Sequence, residues 1–149
     1  MGRILDKVAL TEDNKKKIFS FLVIALVLSR TSIYAGGDEE DQLLNTKSCV
    51  NCDLNNAWLE NANLRKADLS GANLYRANME YVNLRGANLT GADLSNVRFR
   101  GANLTNAILD NAILRYTNLG DADLSGASLK GAKLKDARFS NTKPDGICF

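Results

Sequence analysis

The sequence predicts an all-β solenoid, a single chain wound into a column that turns a corner after every fifth residue. Three observations predict it. From Leu54 to Phe139, eighteen consecutive positions spaced by five hold a large apolar residue. Two positions before each lies a small residue, alanine in fourteen of the eighteen, with Cys52, Val82, Val97 and Thr117 as the others. Two positions after each lies Gly, Asn or Asp, again in fourteen of eighteen. A period of five fits neither the helical 3.6 nor the strand period of 2.

The 149 residues leave room for one domain. Its first element is a targeting segment, residues 1–35. Lys15, Lys16 and Lys17 precede the apolar run Ile18 to Leu28, and Ser32-Ile33-Tyr34-Ala35 leads into Gly36-Gly37. A basic region, an apolar run and a small residue at the cut predict a signal peptide cleaved after Ala35. The run is short of the roughly 20 apolar residues of a spanning helix. The long basic lead and Arg30 keep an uncleaved anchor as the alternative. A buried core helix is the remaining one.

Residues 36–48 follow as an acidic lead-in and N-terminal cap. Asp38-Glu39-Glu40-Asp41 is expected to be flexible, and Gln42 to Asn45 to form one helical turn. Leu43, Leu44 and Cys49 would cover the first coil.

Residues 49–142 are the repeat. Along an extended side, alternation points the small and large residues inward and the residue between them outward. Leu54, Leu74, Leu94, Leu114 and Leu134 then stack as one core column. Gly, Asn and Asp suit a corner residue with positive φ. Lys66, Arg76, Tyr81 and Tyr116 stand at such corners, and a different turn type is expected there.

Residues 143–149 form the predicted C-terminal cap. Lys143 to Gly146 reads as a turn, with Ile147 and Phe149 folding over Phe139. A dimer joined at this end is the rival reading. Cys148 falls at an outward phase, which suggests a free thiol or an intermolecular bond.

The quoted run "ANLRKADLSGANLYRANMEYVNLRGANLTGADL" resembles the pentapeptide-repeat family, whose motif is A(D/N)LXX. The resemblance implies a right-handed quadrilateral β-helix with four pentapeptides per coil, about four and a half coils for eighteen repeats. It also implies that an opening CxxC caps the column, and that some members dimerise through their C-terminal ends.

Cys49 and Cys52 are in phase with the repeat and bound one corner. The ends of a β-turn lie under about 7 Å apart, which overlaps disulfide geometry. A disulfide and two buried thiols both remain open. A zinc site lacks ligands, since the chain has no histidine and only Cys148 besides. A thioredoxin-like site lacks its βαβ unit.

No convergent nucleophile, base or metal cage is apparent, so no enzyme activity, cofactor or metal is expected. The reading is a non-enzymatic structural or protein-interaction module, exported to the periplasm, the exterior, or the thylakoid lumen of a photosynthetic source. Its partner is an unknown protein or a second copy. Nucleic acid is not expected, and a membrane only through an uncleaved N-terminus. The alternative is a DNA-mimicking, topoisomerase-binding protein, as some family members are. Export weighs against it, as do eleven Lys/Arg against nine Asp/Glu between Asp53 and Thr142.

Trp58, Ile108 and Ile113 are apolar where the motif has Asn or Asp. Ile108, Ile113 and Tyr116 are the candidate partner contact. Arg98, Arg100, Arg115, Lys133, Lys135 and Arg138 form a mild basic cluster. Ordinary solvated charge is the preferred reading over an anionic partner.

Overall fold

Every fifth residue from Ser48 to Ser128 makes a parallel bridge to the residue twenty further on, beginning with Ser48 to Asp68 and ending with Ser128 to Cys148. Four sides therefore complete one coil. The structure, a computed structural model, describes residues 38–149. The predicted targeting segment, residues 1–35, lies outside the described residues.

The backbone hydrogen bonds explain why five is the period. Leu54 N–H donates to the Asn73 carbonyl at 2.8 Å, Asn73 N–H to the Cys52 carbonyl at 2.9 Å, and Asn56 N–H to the Tyr75 carbonyl at 2.8 Å. Ala57 N–H closes the corner on the Leu54 carbonyl at 3.1 Å. That serves four of the five N–H groups in each side. Outward Asp and Asn side chains serve the fifth. All eleven outward Asp or Asn residues from Asp53 to Asp123 accept the N–H two residues on, at 2.9–3.4 Å. The D/N of the repeat thus completes the polar accounting of a fold whose inside is apolar but for Thr117.

The corner residues Lys66, Arg76, Tyr81 and Tyr116 correct one expectation. Their φ values of 56–60° match the Asn and Gly corners, so no second turn type occurs there. A left-handed non-glycine residue costs about 1–2 kcal/mol. A different turn would break a corner bond and a ladder bond, each worth about 0.5–1.5 kcal/mol, and would throw the next side out of register. The ladder wins.

The small inward position sets corner tightness. Where it is Ala, the corner bond is 2.9–3.1 Å; at Val82, Val97, Thr117, Thr142 and Ile147 it is 3.2–3.4 Å. The extra γ-atoms crowd the column and open the corner.

The core runs unbroken from Leu43 through Leu129. Leu54, Leu74, Leu94 and Leu114 are buried, while Leu134 is half-buried and packs against them. Burial of each fully covered leucine contributes about 1.5–3 kcal/mol before entropy.

Both ends differ from expectation. The acidic stretch is helical: α1 spans Asp38–Thr46. Carboxylates in a first turn are favoured by the helix dipole. Lys47, with φ 58°, ends the helix, its N–H donating to the Leu43 carbonyl at 2.9 Å. Leu43 is buried, whereas Leu44 faces solvent. At the other end the ladder continues where a folded-back cap was expected. Lys143 bridges Asp123, and Ile147 N–H closes a further corner on the Pro144 carbonyl at 3.2 Å. Phe149 is 76% exposed and does not cover Phe139. Folding back would forfeit these ladder bonds.

Candidate interaction surface

Side chains of α1 take the place of a coil beneath the first one. Gln42 Nε2 donates to the Ser48 carbonyl at 3.0 Å, and Thr46 Oγ1 donates to the same oxygen at 3.1 Å. Lys47 Nζ donates to the Asn63 carbonyl. The Glu40 carboxylate accepts the Trp58 backbone N–H. Burial pushes the Glu40 carboxyl above its ordinary range, with Asp41 adding to the rise and the Trp58 bond opposing it. These four cap residues were not legible in the repeat itself. A signal existed in the need of every terminal coil for edge partners.

Cys49 and Cys52 are joined by a disulfide, with Cα atoms 5.3 Å apart, and both are buried. The bond closes the first corner. Cys148 is a free, exposed thiol on the same face as Ser48. Among the described residues, no cluster of His, Cys, Asp or Glu could hold a metal ion. No helix among them is long and apolar enough to cross a membrane.

The outward residues form four faces. Ile108 lies on the first, between Asn88 and Ser128; Ile113 lies on the second, between Asp93 and Lys133. The corner Asp110-Asn111 separates them. Ile108 is 43% exposed, Ile113 half-buried, and Tyr116, at the corner ending the second face, 57% exposed. The three are thus spread along one continuous strip of surface.

The third face carries Trp58, Asn78, Arg98, Asn118 and Arg138 in register. Beside it runs the corner column Asn56, Arg76, Asn96, Tyr116 and Asp136. Between the two columns lies an open cleft of about 430 Å³ lined by Asn56, Trp58, Arg76, Asn78, Asn96 and Arg98. Asn78 is its buried floor, donating to Glu60 at 3.1 Å and accepting Glu80 N–H at 3.3 Å. The Arg76 guanidinium lies 5.1 Å from the centre of the Tyr75 ring. Arg100, grouped with the basic cluster from sequence, sits at the next corner and pairs with Asp121 at 3.3 Å.

A model of the family Pentapeptide repeats, in 8 copies, matches residues 48–86, 77–115 and 107–143. The chain belongs to the pentapeptide-repeat family. Pentapeptide-repeat proteins fold as right-handed quadrilateral β-helices and are generally non-enzymatic. Similar solved structures include HetL, a pentapeptide repeat protein involved in heterocyst differentiation regulation in the cyanobacterium Nostoc sp. strain PCC 7120. It is 32% identical over 68% of this chain and 59% of HetL, with a TM-score of 0.36. This chain therefore spans little more than half of HetL's length. A pentapeptide repeat protein from the Arabidopsis thaliana thylakoid lumen is 27% identical over 71% of this chain and 70% of that one, with a TM-score of 0.38. A trypsin-treated variant of QnrB1, a plasmid-mediated fluoroquinolone resistance protein, is 20% identical over 67% of this chain and 62% of that one, with a TM-score of 0.30. No curated protein matches.

Proposed function

We propose that this pentapeptide-repeat protein is an exported, non-enzymatic interaction module. It presents fixed side chains on a rigid tower, and Ile108, Ile113 and Tyr116 form a contact for a protein partner or a second copy. One observation carries the contact. At outward positions Asp and Asn complete the hydrogen bonding of the corner, and Ile108 and Ile113 give up that bond for exposed apolar area. The twenty-one outward positions from Ser48 to Cys148, at four per coil, support a stack of just over five coils. The Cys49–Cys52 disulfide supports an oxidising, extracytoplasmic compartment. The near-balanced surface charge weighs against the DNA-mimicking alternative.

Two measurements test this. N-terminal sequencing of the mature chain from fractionated cells should find a start near Gly36 in an extracytoplasmic fraction; a full-length cytosolic chain overturns export. Ile108→Asn with Ile113→Asn restores the motif, so the fold should be at least as stable. Loss of self-association by light scattering, or of a cross-linked partner, supports the contact. Unchanged assembly and unchanged cross-linking overturn it.

A further inference from the structure

Between Asp53 and Asp123, four outward positions abandon the corner hydrogen bond: Trp58, Arg98, Ile108 and Ile113. Trp58 and Arg98 stand on one face, two coils apart, and flank the cleft floored by Asn78. Arg76 completes the cleft from the adjoining corner, at a left-handed position where most corners place Gly, Asn or Asp. Three departures from the repeat therefore converge on one concavity. Among the described residues, neither Arg76 nor Arg98 has a carboxylate partner.

Charge gathers along the same edge. The third face and the corner before it carry Arg76, Arg98, Arg115, Lys135 and Arg138, with Asp136 as the one acid. The repeat as a whole carries an excess of only two positive charges, so this edge holds more than the entire surplus. Long-range attraction would bring anions to it. The cleft then supplies the short-range selection.

The geometry points to an acidic polysaccharide, lying along the column axis, as the ligand of this edge. The inference rests on the interaction-module reading and names a ligand for the adjoining third face, whose border column also holds Tyr116. Each residue type has a role in it. Arginine forks match carboxylates in bidentate fashion, which makes them selective for uronate groups over bare charge. The Tyr75 ring, 5.1 Å from the Arg76 guanidinium, attracts and restrains one fork. Trp58 is 53% exposed and lines the cleft, and an indole is suited to the apolar side of a sugar ring. The Asn96 carboxamide makes no side-chain hydrogen bond among the described residues, and it offers a donor and an acceptor side by side for neighbouring hydroxyls. The coils repeat about every 4.8 Å, so equivalent groups recur along a straight line, as a regular polymer requires. A single-stranded nucleic acid would ask for a run of stacking rings, and this cleft has one ring at one end. A membrane surface is flat and has no use for a cleft.

The test uses the mature chain and polygalacturonate, with neutral pullulan, oligothymidylate and phosphatidylserine vesicles as competitors. The variant is Arg76→Asn with Arg98→Asn, which gives the corner a residue common at this chain's left-handed corners and the outward position the motif's Asn, and so preserves the fold. The control is Arg65→Ser with Arg85→Ser, which removes the same charge from the diagonally opposite corner. Polygalacturonate should bind in a salt-sensitive manner and pullulan should not. The cleft variant should weaken binding by about tenfold per arginine lost, while the control stays within about twofold. Equal weakening by both variants would mean bulk attraction and overturn the proposal. So would absent binding, or tighter binding of oligothymidylate or vesicles. If polygalacturonate fails while the Ile108 and Ile113 variant still loses assembly, this inference alone is wrong. If both fail, the interaction-module reading goes with it.

Discussion

Thr117 Oγ1 donates to the carbonyl oxygen of Leu94 at 2.8 Å, one coil below, inside a core that is otherwise apolar. The same oxygen already closes its own corner with the Val97 N–H at 3.2 Å. Removing the hydroxyl therefore leaves no orphaned acceptor. Thr117→Val should cost less than about 1 kcal/mol in urea unfolding. Thr117→Asp should unfold the column, because a buried charge would have no partner there.

Lys66 holds φ at 59° without the advantages of glycine or asparagine. Lys66→Asn relieves that strain and keeps the N–H that donates to the Arg85 carbonyl at 3.0 Å. Stability should rise by up to about 1 kcal/mol, measured by thermal denaturation. A fall would mean that the lysine stem contributes more packing than its conformation costs.

Reduction of the Cys49–Cys52 bond should destabilise the protein by about 2 kcal/mol, the loop-closure value for so short a loop. The loss should begin at α1, read as faster amide exchange at Leu43 than at Leu94. Unreduced, denatured protein should show one reactive thiol, Cys148, and reduced protein three.

The pH response should have two opposing parts. Glu40 has a raised carboxyl pKa in the folded state, so its protonation favours folding. That contribution is complete below the ordinary value of 4.5 and is lost as pH rises through the raised one. Asp68 and Asp123 are held low, by the Ser70 and Ser125 hydroxyls first and by the same residues' N–H groups next. Their contribution is present above the ordinary value of 3.8 and is lost as pH falls through the lowered ones. Melting temperature should climb modestly as pH drops from neutral toward 4.5, then fall in stronger acid. Glu40→Gln should abolish the climb and leave the fall.

Much of the fold is legible in the sequence, because the repeat is a local code. A leucine at every fifth position and a small residue two before it dictate the inside directly. The stacking of residues twenty apart then follows, and with it the column Leu54, Leu74, Leu94, Leu114. The ends were not legible, because α1 obeys no such code. Its Glu40 and Gln42, and Lys47 just past its end, matter through edge groups of a coil they do not belong to. The role of Arg76 was missed for a related reason, although its corner position was legible. Read alone, it is a faulty corner; read beside Trp58 and Arg98, it is the wall of a cleft. Convergence of that kind appears only when two columns are compared sideways.

The twenty-residue ladder also makes the protein a counting device. Deleting one pentapeptide between Asn78 and Arg98 would leave every inward contact type and every corner intact. It would nevertheless swing Arg98, and everything after it, a quarter-turn around the axis onto the neighbouring face. Deleting four consecutive pentapeptides would shorten the tower and return each later side chain to its own face. Length changes in such a chain are therefore rotations, and only multiples of twenty leave a surface facing the way it did.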